Sequence, residues 1–406
     1  MCDARQCSGC GACRDACPRG CITLKHVANG DSVPVLDASR CIECGLCVRV
    51  CPQVNPVQLE MPAACYAAVR KDEAARADSA SGGIGALLGE RFLEEHPGGA
   101  VCGVRWNPDT EHAEYAVAFA HPELEAFKGS KYVQPDAKGI YRNIAEMLKN
   151  GRHVLFVGLP CHVAACRQFL DATGVSQEKL ACADLLCHGV SSHAFLTEEL
   201  YWIKKKYRFA RLEKLSFRSN RKNRNYHLVV EGSDPNGEFR LYDRAVGEDC
   251  YFRAFLDGVS LRESCCVCKF SCKRRSGDLT IGDFIGLGHQ KGFSPFEGDV
   301  HNVSMVLVNT PKGADALEGL ADAMDFWARP YAEAVQGGAS LKAPWQRHPA
   351  RDVFLEEYAK NGFMKAAKSV MGKALLKSRL KHSVLRMANR LGFETEAIVR
   401  MIRKGQ

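Results

Sequence analysis

The segment Cys7-Ser8-Gly9-Cys10-Gly11-Ala12-Cys13, followed by Cys17-Pro18, returns 34 residues later as Cys41-Ile42-Glu43-Cys44-Gly45-Leu46-Cys47, followed by Cys51-Pro52. Both copies fit the pattern C-x2-C-x2-C-x3-C-P, which is typical of bacterial modules that bind cubane 4Fe-4S clusters. Thiolates at this spacing each reach one corner of a cube, while the glycines permit tight turns and present backbone amides to the sulfur atoms. The repeat therefore predicts a two-cluster module.

In this pattern the fourth cysteine of each run binds the cluster that the other run holds. The first cluster would use Cys7, Cys10, Cys13 and Cys51, and the second would use Cys41, Cys44, Cys47 and Cys17. The alternative is a pair of zinc knuckles. A tetrahedral zinc site needs two C-x2-C pairs, however, and would leave the third cysteine of each run unused.

The composition is that of a globular chain with an unusual number of thiols. Its 406 residues, 46% hydrophobic and 25% charged, exclude the collagen-like, disordered and mini-protein classes, and cysteine stands out with 21 copies. No signal peptide is recognisable, so we expect a cytoplasmic protein whose thiols serve metal or redox chemistry. No apolar run has the length of a membrane-spanning helix. The net charge of +8 comes without a nucleic-acid-binding motif, so nucleic acid is not an expected partner.

Beyond residue 60 the sequence alternates between apolar runs and amphipathic stretches. The apolar runs predict strands at 154–157, 181–186 and 279–283, among others. The amphipathic stretches predict several helices, including 140–149 and 314–324. This alternation indicates a mixed α/β domain.

Cysteines follow two of these predicted strands. Cys161 follows strand 154–157 in the first turn of a helix, and Cys187 follows strand 181–186. Sites in α/β sheets gather at the carboxyl ends of strands, and helix N-termini stabilise thiolates, so both cysteines are candidate metal ligands. A C-x2-C pair would complete a third ligand set: Cys265 and Cys268, with Cys266 or Cys272 as alternatives.

Two loops of small residues would suit a nucleotide cofactor. Ser81-Gly82-Gly83 separates a strand from a helix, where backbone amides and the helix dipole favour a phosphate; an ordinary helix cap is the alternative. The second loop carries cations, a hydroxyl and an aromatic ring, and it would either clamp a flavin or be a solvated basic loop. Its candidate residues are Gly129, Ser130, Lys131, Tyr132 and Gln134.

Seven short motifs in this order resemble the beta subunit family of coenzyme F420 hydrogenases and dehydrogenases, whose relatives include 7-hydroxymethyl chlorophyll a reductase. The motifs are Ser81-Gly82-Gly83, Gly129-Ser130-Lys131-Tyr132, Phe156-Val157-Gly158-Leu159-Pro160-Cys161, Cys187-His188-Gly189, Phe217-Arg218, Cys265-x2-Cys268 and residues 278–284. The resemblance implies an α/β flavoprotein that binds FAD beside a 4Fe-4S cluster. It implies that this cluster is held by Cys161, Cys187, Cys265 and Cys268, and that the Ser81 and Ser130 loops contact the flavin.

The chain departs from the family pattern at one position, and it carries three catalytic candidates. Many relatives have an aromatic residue after the first cysteine of the C-x2-C pair, where this chain has Cys266. Arg218, in the family-like Phe-Arg pair, is a candidate to receive a phosphate or polycarboxylate group of the substrate; the alternative is that the cations of 204–224 form a solvated helix face followed by a basic loop. His188 and Asp283 are candidate proton donors, although titratable residues near a cofactor are often structural, and Asp283 would otherwise orient a ribityl hydroxyl or cap a turn.

The expected fold class is α+β or α/β with three parts. They are a dicluster ferredoxin-like module at 1–60, a mixed-sheet α/β domain that binds FAD and a 4Fe-4S cluster at 61–342, and a helical basic tail at 343–406. The tail carries lysines and arginines at helical spacing over 363–404. It would contact anionic lipid or an acidic partner, or pack on its own domain.

The expected function is that of an iron-sulfur flavoprotein oxidoreductase. It would pass electrons between a hydride-donating or hydride-accepting small organic substrate, FAD and a chain of 4Fe-4S clusters, and on to an external one-electron carrier such as ferredoxin or another electron-transfer protein. The alternative is an electron-transfer subunit of a larger redox complex, without substrate chemistry of its own.

Overall fold

The computed structural model describes residues 2–77, 79–218, 226–290, 292–293 and 302–390. The strands are β1 (Ile22–His26), β2 (Ser32–Leu36), β3 (Ala64–Arg70), β4 (Ala100–Asn107), β5 (His112–Ala118), β6 (Val154–Gly158), β7 (Leu180–Leu185), β8 (Arg211–Ser216), β9 (His227–Ser233), β10 (Phe239–Ala245), β11 (Leu279–Asp283), β12 (Ser304–Val308) and β13 (Met324–Ala328). The α-helices are α1 (Ala12–Ala16), α2 (Leu46–Arg49), α3 (Glu73–Ala77), α4 (Ile84–Glu95), α5 (Ile140–Lys149), α6 (Pro160–Ala172), α7 (His193–Tyr207), α8 (Cys250–Leu256), α9 (Pro311–Glu318), α10 (Tyr331–Gly337), α11 (Arg351–Asn361) and α12 (Phe363–Arg390).

The sequence repeat appears in the structure as two short helices of similar design. The α1 and α2 helices each begin after a glycine with positive φ, Gly11 at 78° and Gly45 at 70°. Glycine adopts this left-handed conformation without steric cost, which lets the chain turn sharply between the second and third cysteines of each run. The antiparallel hairpin of β1 and β2 lies between the two helices along the chain.

An eight-stranded mixed sheet forms the centre of the molecule, in the order β13-β3-β12-β11-β7-β6-β4-β5. The neighbours β4, β6, β7 and β11 are parallel, and the remaining pairs are antiparallel. Alternate residues of β6 point to opposite faces: Val154 and Phe156 pack with α5 and α6, and Leu155 packs with α4. Helices cover both faces, so the central strands are buried apolar runs.

A second core lies over the three-stranded sheet β10-β9-β8. It contains apolar side chains of α7 and α8 together with Phe354 of α11 and Phe363, Met371 and Leu375 of α12. The first part of the basic tail therefore packs on its own domain, one of the two alternatives that the sequence left open. Residues 391–404 of the predicted tail lie outside the described residues.

The helix predicted at 314–324 is wrong in its second half. The Thr310 side chain accepts a hydrogen bond from Gly313 N and Pro311 opens α9, so the helix begins earlier and ends at Glu318. Met324 then opens β13, which pairs antiparallel with β3 at the edge of the sheet. Within the described residues, no helix is both long and apolar enough to cross a membrane.

Candidate redox site

The first predicted ligand set lies in one pocket of the N-terminal module. Cys7, Cys10, Cys13 and Cys51 line it together with Cys2, which lies outside the repeat pattern. Hydrogen bonds with the Cys2 thiol lower the pKa of Cys7 and of Cys51 to about 6. Burial raises the pKa of the Cys10 thiol to about 12. We call these four predicted ligands the inner set, with Cys2 as an additional thiol beside them.

The central domain holds the backbone of the inner set. Gln134 Nε2 donates hydrogen bonds to Ser8 O at 3.1 Å and to Gly9 O at 3.0 Å, and Arg262 Nε donates to Cys7 O at 2.9 Å. Arg262 Nη1 donates to Gln134 Oε1 at 2.7 Å. Gln134, a predicted cofactor contact, therefore has its side-chain amide engaged in docking the module.

The second predicted ligand set lies nearer the surface. Cys17, Cys41 and Cys47 pack together, and Cys44 is exposed. Cys21 joins them: its Sγ lies 3.2 Å from Cys17 Sγ, and this hydrogen bond raises the pKa of Cys21 to about 11. We call Cys17, Cys41, Cys44 and Cys47 the outer set.

The third predicted set comes together where β6 and β7 end. Burial and the neighbouring Cys268 and Cys187 raise the pKa of Cys161 well above its usual value. Burial and Cys268 likewise raise the pKa of Cys187 to about 12, and burial and Cys187 raise the pKa of Cys265. The expected lowering of the Cys161 pKa by the N-terminus of α6 is outweighed, because burial and nearby thiols both disfavour the thiolate. Bound iron would reverse this balance, because metal-ligating thiols are deprotonated.

The inner and third sets are neighbours. Cys10 is among the groups that raise the pKa of Cys161, so the two thiols interact across the boundary between the N-terminal module and the central domain. In the described part of the chain, no three His, Cys, Asp or Glu side chains have the geometry to bind a single metal ion. The inner set is therefore defined by the pocket that its thiols line, the outer set by packing contacts, and the third set by mutual electrostatic effects.

The two alternative thiols have different surroundings. The groups that shift the pKa of Cys266, after burial, are Arg351, Glu263, Arg347 and Asp31. Cys272 Sγ donates a hydrogen bond to Arg274 O at 3.3 Å. By contrast, Cys187 and Cys268 are among the groups that raise the pKa of Cys265, and Cys265 is among those that raise the pKa of Cys161.

Two predicted catalytic residues, Arg218 and Asp283, form an ion pair. Asp283 ends β11, and its Oδ2 accepts a hydrogen bond from Arg218 Nη1. Arg218 is 3% exposed, and its guanidinium carbon lies 4.7 Å from the centroid of the Tyr226 ring. Among the described residues, Arg218 Nε and Nη2 have no hydrogen-bond partner. Buried donors need an acceptor, so this arrangement favours a ligand oxygen beside Arg218.

Aromatic rings connect this ion pair with the third set. Burial raises the pKa of Tyr132 to about 12, against the opposing effect of the nearby Arg218. Tyr132 stacks on Phe255 with 4.9 Å between ring centroids, and the centroid of the His188 ring lies 5.1 Å from that of Phe255. His188 directly follows Cys187, and burial lowers its pKa, which favours the neutral imidazole.

The two predicted cofactor loops approach the same ion pair. In the first loop, Gly82 N donates to Ser304 Oγ at 3.0 Å, and Ser81 Oγ lies 3.3 Å from that oxygen. Ser304 is the cross-strand partner of Asp283. Gly83 precedes α4 with φ of 85°, so the loop does end at a helix N-terminus.

The second loop is tied to the segment that carries Arg218. Phe217 N donates to Ser130 O at 3.3 Å, and Gly129 has a positive φ of 77°. Lys131 Nζ donates to Lys128 O at 2.8 Å, and burial lowers its pKa to about 7. The sequence-predicted residues of the two loops and of the ion pair therefore belong to one region.

Several residues near the predicted sites were missed by sequence reasoning. Cys2 and Cys21 lie outside the repeat pattern, although a thiol four residues after Cys17 was a usable signal. Phe255 and Trp345 belong to no motif. Trp345 lies more than 150 residues after His188 in the sequence, yet the centroids of the two rings are 4.2 Å apart. Only the tertiary fold brings such residues to the site.

Two family models match parts of this chain. Residues 151–334 match the family model that describes the C terminus of the coenzyme F420 hydrogenase/dehydrogenase beta subunit, and residues 6–55 match a 4Fe-4S dicluster domain. A comparison with curated proteins gave no match. Among solved structures, the chain is similar to one from the xenon-derivatised F420-reducing NiFe hydrogenase complex of Methanosarcina barkeri, with 18% identity, 77% of this chain and 93% of that chain covered, and a TM-score of 0.38.

The dicluster match and the thiol sets define an iron-sulfur protein of the redox and electron-transfer class, with 4Fe-4S clusters as cofactors. Within that class, residues 151–334 are similar to the C terminus of the coenzyme F420 hydrogenase/dehydrogenase beta subunit, which indicates an oxidoreductase.

Proposed function

We propose that this protein is an iron-sulfur flavoenzyme. It would pass electrons between a small organic substrate, FAD and three 4Fe-4S clusters, and on to an external one-electron carrier. The observation that carries the proposal is the set of neighbours of the third thiol set: Cys161 interacts electrostatically with Cys10 of the inner set, and His188, which follows Cys187, contacts the ring of Phe255. A cluster held there would lie between the N-terminal module and the candidate cofactor loops.

Four cysteines of the central domain would hold the third cluster. Cys161, Cys187 and Cys265 interact with one another and with Cys268, and cubane clusters take four thiolate ligands. The surroundings of Cys266 and Cys272 support Cys265 and Cys268 as the C-x2-C ligands. The inner and outer sets would hold the other two clusters.

FAD would bind between the two cofactor loops. Their residues fit the group: Gly82 and Gly83 lead into the N-terminus of α4, which favours a phosphate, and the partly exposed Tyr132 offers an aromatic ring in the second loop. When bound, a flavin exchanges a hydride as two electrons while a 4Fe-4S cluster exchanges one, so the pair couples the two kinds of transfer.

The chain's own residues would orient the substrate and move protons. The unpartnered Nε and Nη2 of Arg218 would donate hydrogen bonds to a carbonyl or carboxylate oxygen, while Asp283 holds the guanidinium in place. His188 Nε2 lies 3.3 Å from Phe255 O; when it donates there, Nδ1 of the neutral ring remains a proton acceptor.

The experiment uses protein purified and kept under anaerobic conditions. We expect about one FAD per chain, whose absorbance is bleached by at least one hydride donor from a panel of nicotinamide and deazaflavin compounds, with the clusters reduced afterwards. Arg218→Lys should weaken reduction by that donor while FAD content and reduction by dithionite are kept. Protein without FAD would reject the proposal.

One observation favours the relay function as a second candidate. The outer set lies beside exposed apolar side chains, Ile42 and Val48, which suits a partner protein. An external carrier such as ferredoxin would dock there in either function. FAD that is reduced by one-electron carriers but by none of the hydride donors would support an electron-transfer subunit without substrate chemistry.

A further inference from the structure

The long helix α12 changes its surroundings along its length. In its first half, Phe363, Ala366, Ala367, Met371 and Leu375 are buried in the second core. Arg379 is the last anchoring residue there, since its Nη2 donates to Glu248 O at 2.8 Å. The described helix continues to Arg390. The packing of the first half therefore fixes the direction in which the second half presents its outer face.

The outer face carries a stripe of large apolar side chains. Leu376, Leu380, Val384 and Met387 are 61%, 60%, 54% and 64% exposed. At about 100° per residue, these four positions fall within an arc of about 80°, on the side opposite Met371 and Leu375. Scattered exposed apolar residues are ordinary, but four on one face of one helix form a continuous surface that favours an apolar partner. We call these four residues the α12 stripe.

The charges around the stripe have one sign. From residue 363 to residue 390 the sequence contains no Asp or Glu. Lys373 lies on the arc of the stripe, Lys377 and Lys381 lie along one edge of it, and all three are exposed. A helix with aliphatic residues on its outer face and lysines beside them matches the pattern of helices that lie in the interface of an anionic bilayer.

We propose that the α12 stripe is a docking surface for anionic phospholipid membrane, on which the helix lies parallel to the bilayer plane. Leu376, Leu380, Val384 and Met387 would enter the boundary between headgroups and acyl chains, and the lysines would contact lipid phosphates. A second copy of the chain fits less well, because two helices with cations and no acids would bring like charges together. This proposal is independent of the proposed redox function.

The experiment measures binding of the cofactor-loaded full chain to vesicles. Vesicles of phosphatidylcholine alone are compared with vesicles that contain about 30% phosphatidylglycerol, by co-sedimentation at 0.1 M and 0.5 M salt. We expect at least about tenfold tighter binding to the anionic vesicles, and a marked loss of that preference at high salt. The double variant Leu376→Asp/Leu380→Asp and the triple variant Lys373→Gln/Lys377→Gln/Lys381→Gln should each lower binding by about tenfold or more.

The matched control is Phe239→Asp/Leu241→Asp, which removes two exposed apolar side chains from β10 and should leave vesicle binding unchanged. Circular dichroism and the absorbance of the clusters check that every variant is folded. Equal binding to the two kinds of vesicle, or no binding, would overturn the proposal. The proposal would also be overturned if the wild-type chain does not bind vesicles but sediments as a dimer, and the Leu376→Asp/Leu380→Asp variant abolishes that dimer.

Discussion

The two halves of the cysteine repeat share a backbone conformation but differ in what surrounds them. Gly9 and Glu43 occupy equivalent positions, and both have positive φ, 64° and 51°. A Cβ atom at Gly9 would meet the side chains of Gln134 and Arg262. Glu43 is exposed. The same turn therefore requires glycine only where the module is embedded in the central domain.

This difference indicates different roles for the two N-terminal clusters. The inner set is hydrogen-bonded to the central domain and adjoins Cys161, whereas the outer set has an exposed cysteine and exposed apolar neighbours. Under the proposed function, the inner cluster relays electrons within the protein and the outer cluster exchanges them with a carrier.

The largest effect is expected from the cysteine that adjoins the inner set. Cys161→Ala should remove about four of about twelve irons per chain, because a cubane with three protein ligands is readily lost. The N-terminal clusters should stay detectable by electron paramagnetic resonance. Cys166→Ala is the matched control, since Cys166 is a buried thiol on the same helix and should keep all the iron. Unchanged iron in Cys161→Ala would reject this residue as a ligand.

The second experiment compares the two halves of the repeat directly. Gly9→Ala should lower the free energy of unfolding by about 2 to 4 kcal/mol, because it adds both left-handed strain and a clash with Gln134 and Arg262. Glu43→Ala should change it by no more than about 0.5 kcal/mol, because that position is exposed. Chemical unfolding of the anaerobic protein measures both. Similar losses in the two variants would mean that the inner set is not embedded as described.

The free energy of unfolding is expected to depend on pH through His193, the first residue of α7. His193 stacks on His112 with 3.4 Å between ring centroids, and burial, with the nearby His112, lowers its pKa to about 3. Between pH 6.5 and 3 the unfolded chain binds a proton at this position and the folded protein does not. The free energy of unfolding therefore decreases as the pH is lowered, by up to about 1.4 kcal/mol per pH unit. His193→Gln should flatten this slope, and His121→Gln, at an exposed site, should not. Equal slopes in wild type and His193→Gln would show that His193 is not the source of the pH dependence.

The smallest effect is expected on the exposed side. Arg40 and Arg49 are exposed and lie next to Cys41 and near Cys47 in the sequence. Arg40→Glu/Arg49→Glu should slow reduction of the clusters by an acidic ferredoxin by about threefold to tenfold at low salt, because charges at the edge of an interface act mainly on the association rate. Reduction by dithionite should be unchanged. Charge reversal at Arg105 and Arg152, which are exposed on the central domain, is the control; an equal slowing there would contradict docking at the outer set.

The sequence predicted local chemistry better than long-range contacts. The cysteine repeat and the strand-end positions of Cys161 and Cys187 are local patterns, and the match at residues 6–55 and the order of β6, β7 and β11 confirm the dicluster module and the mixed α/β domain. The role of Gln134 in docking could not be predicted, because its partners Ser8 and Arg262 are more than a hundred residues away. The β13 strand was missed because its apolar residues continue the helical pattern of α9. The contact between Trp345 and His188 could not be predicted either, because it depends on how the C-terminal segment folds back onto the central domain.

The central claim is that a third cubane lies between the inner cluster and the flavin. Quantitative iron, acid-labile sulfide and flavin analysis of anaerobically purified protein tests it most directly. We predict about twelve irons, about twelve sulfides and about one FAD per chain, in line with three thiol sets and one flavin site. About eight irons without flavin would contradict the claim and leave only the N-terminal dicluster module.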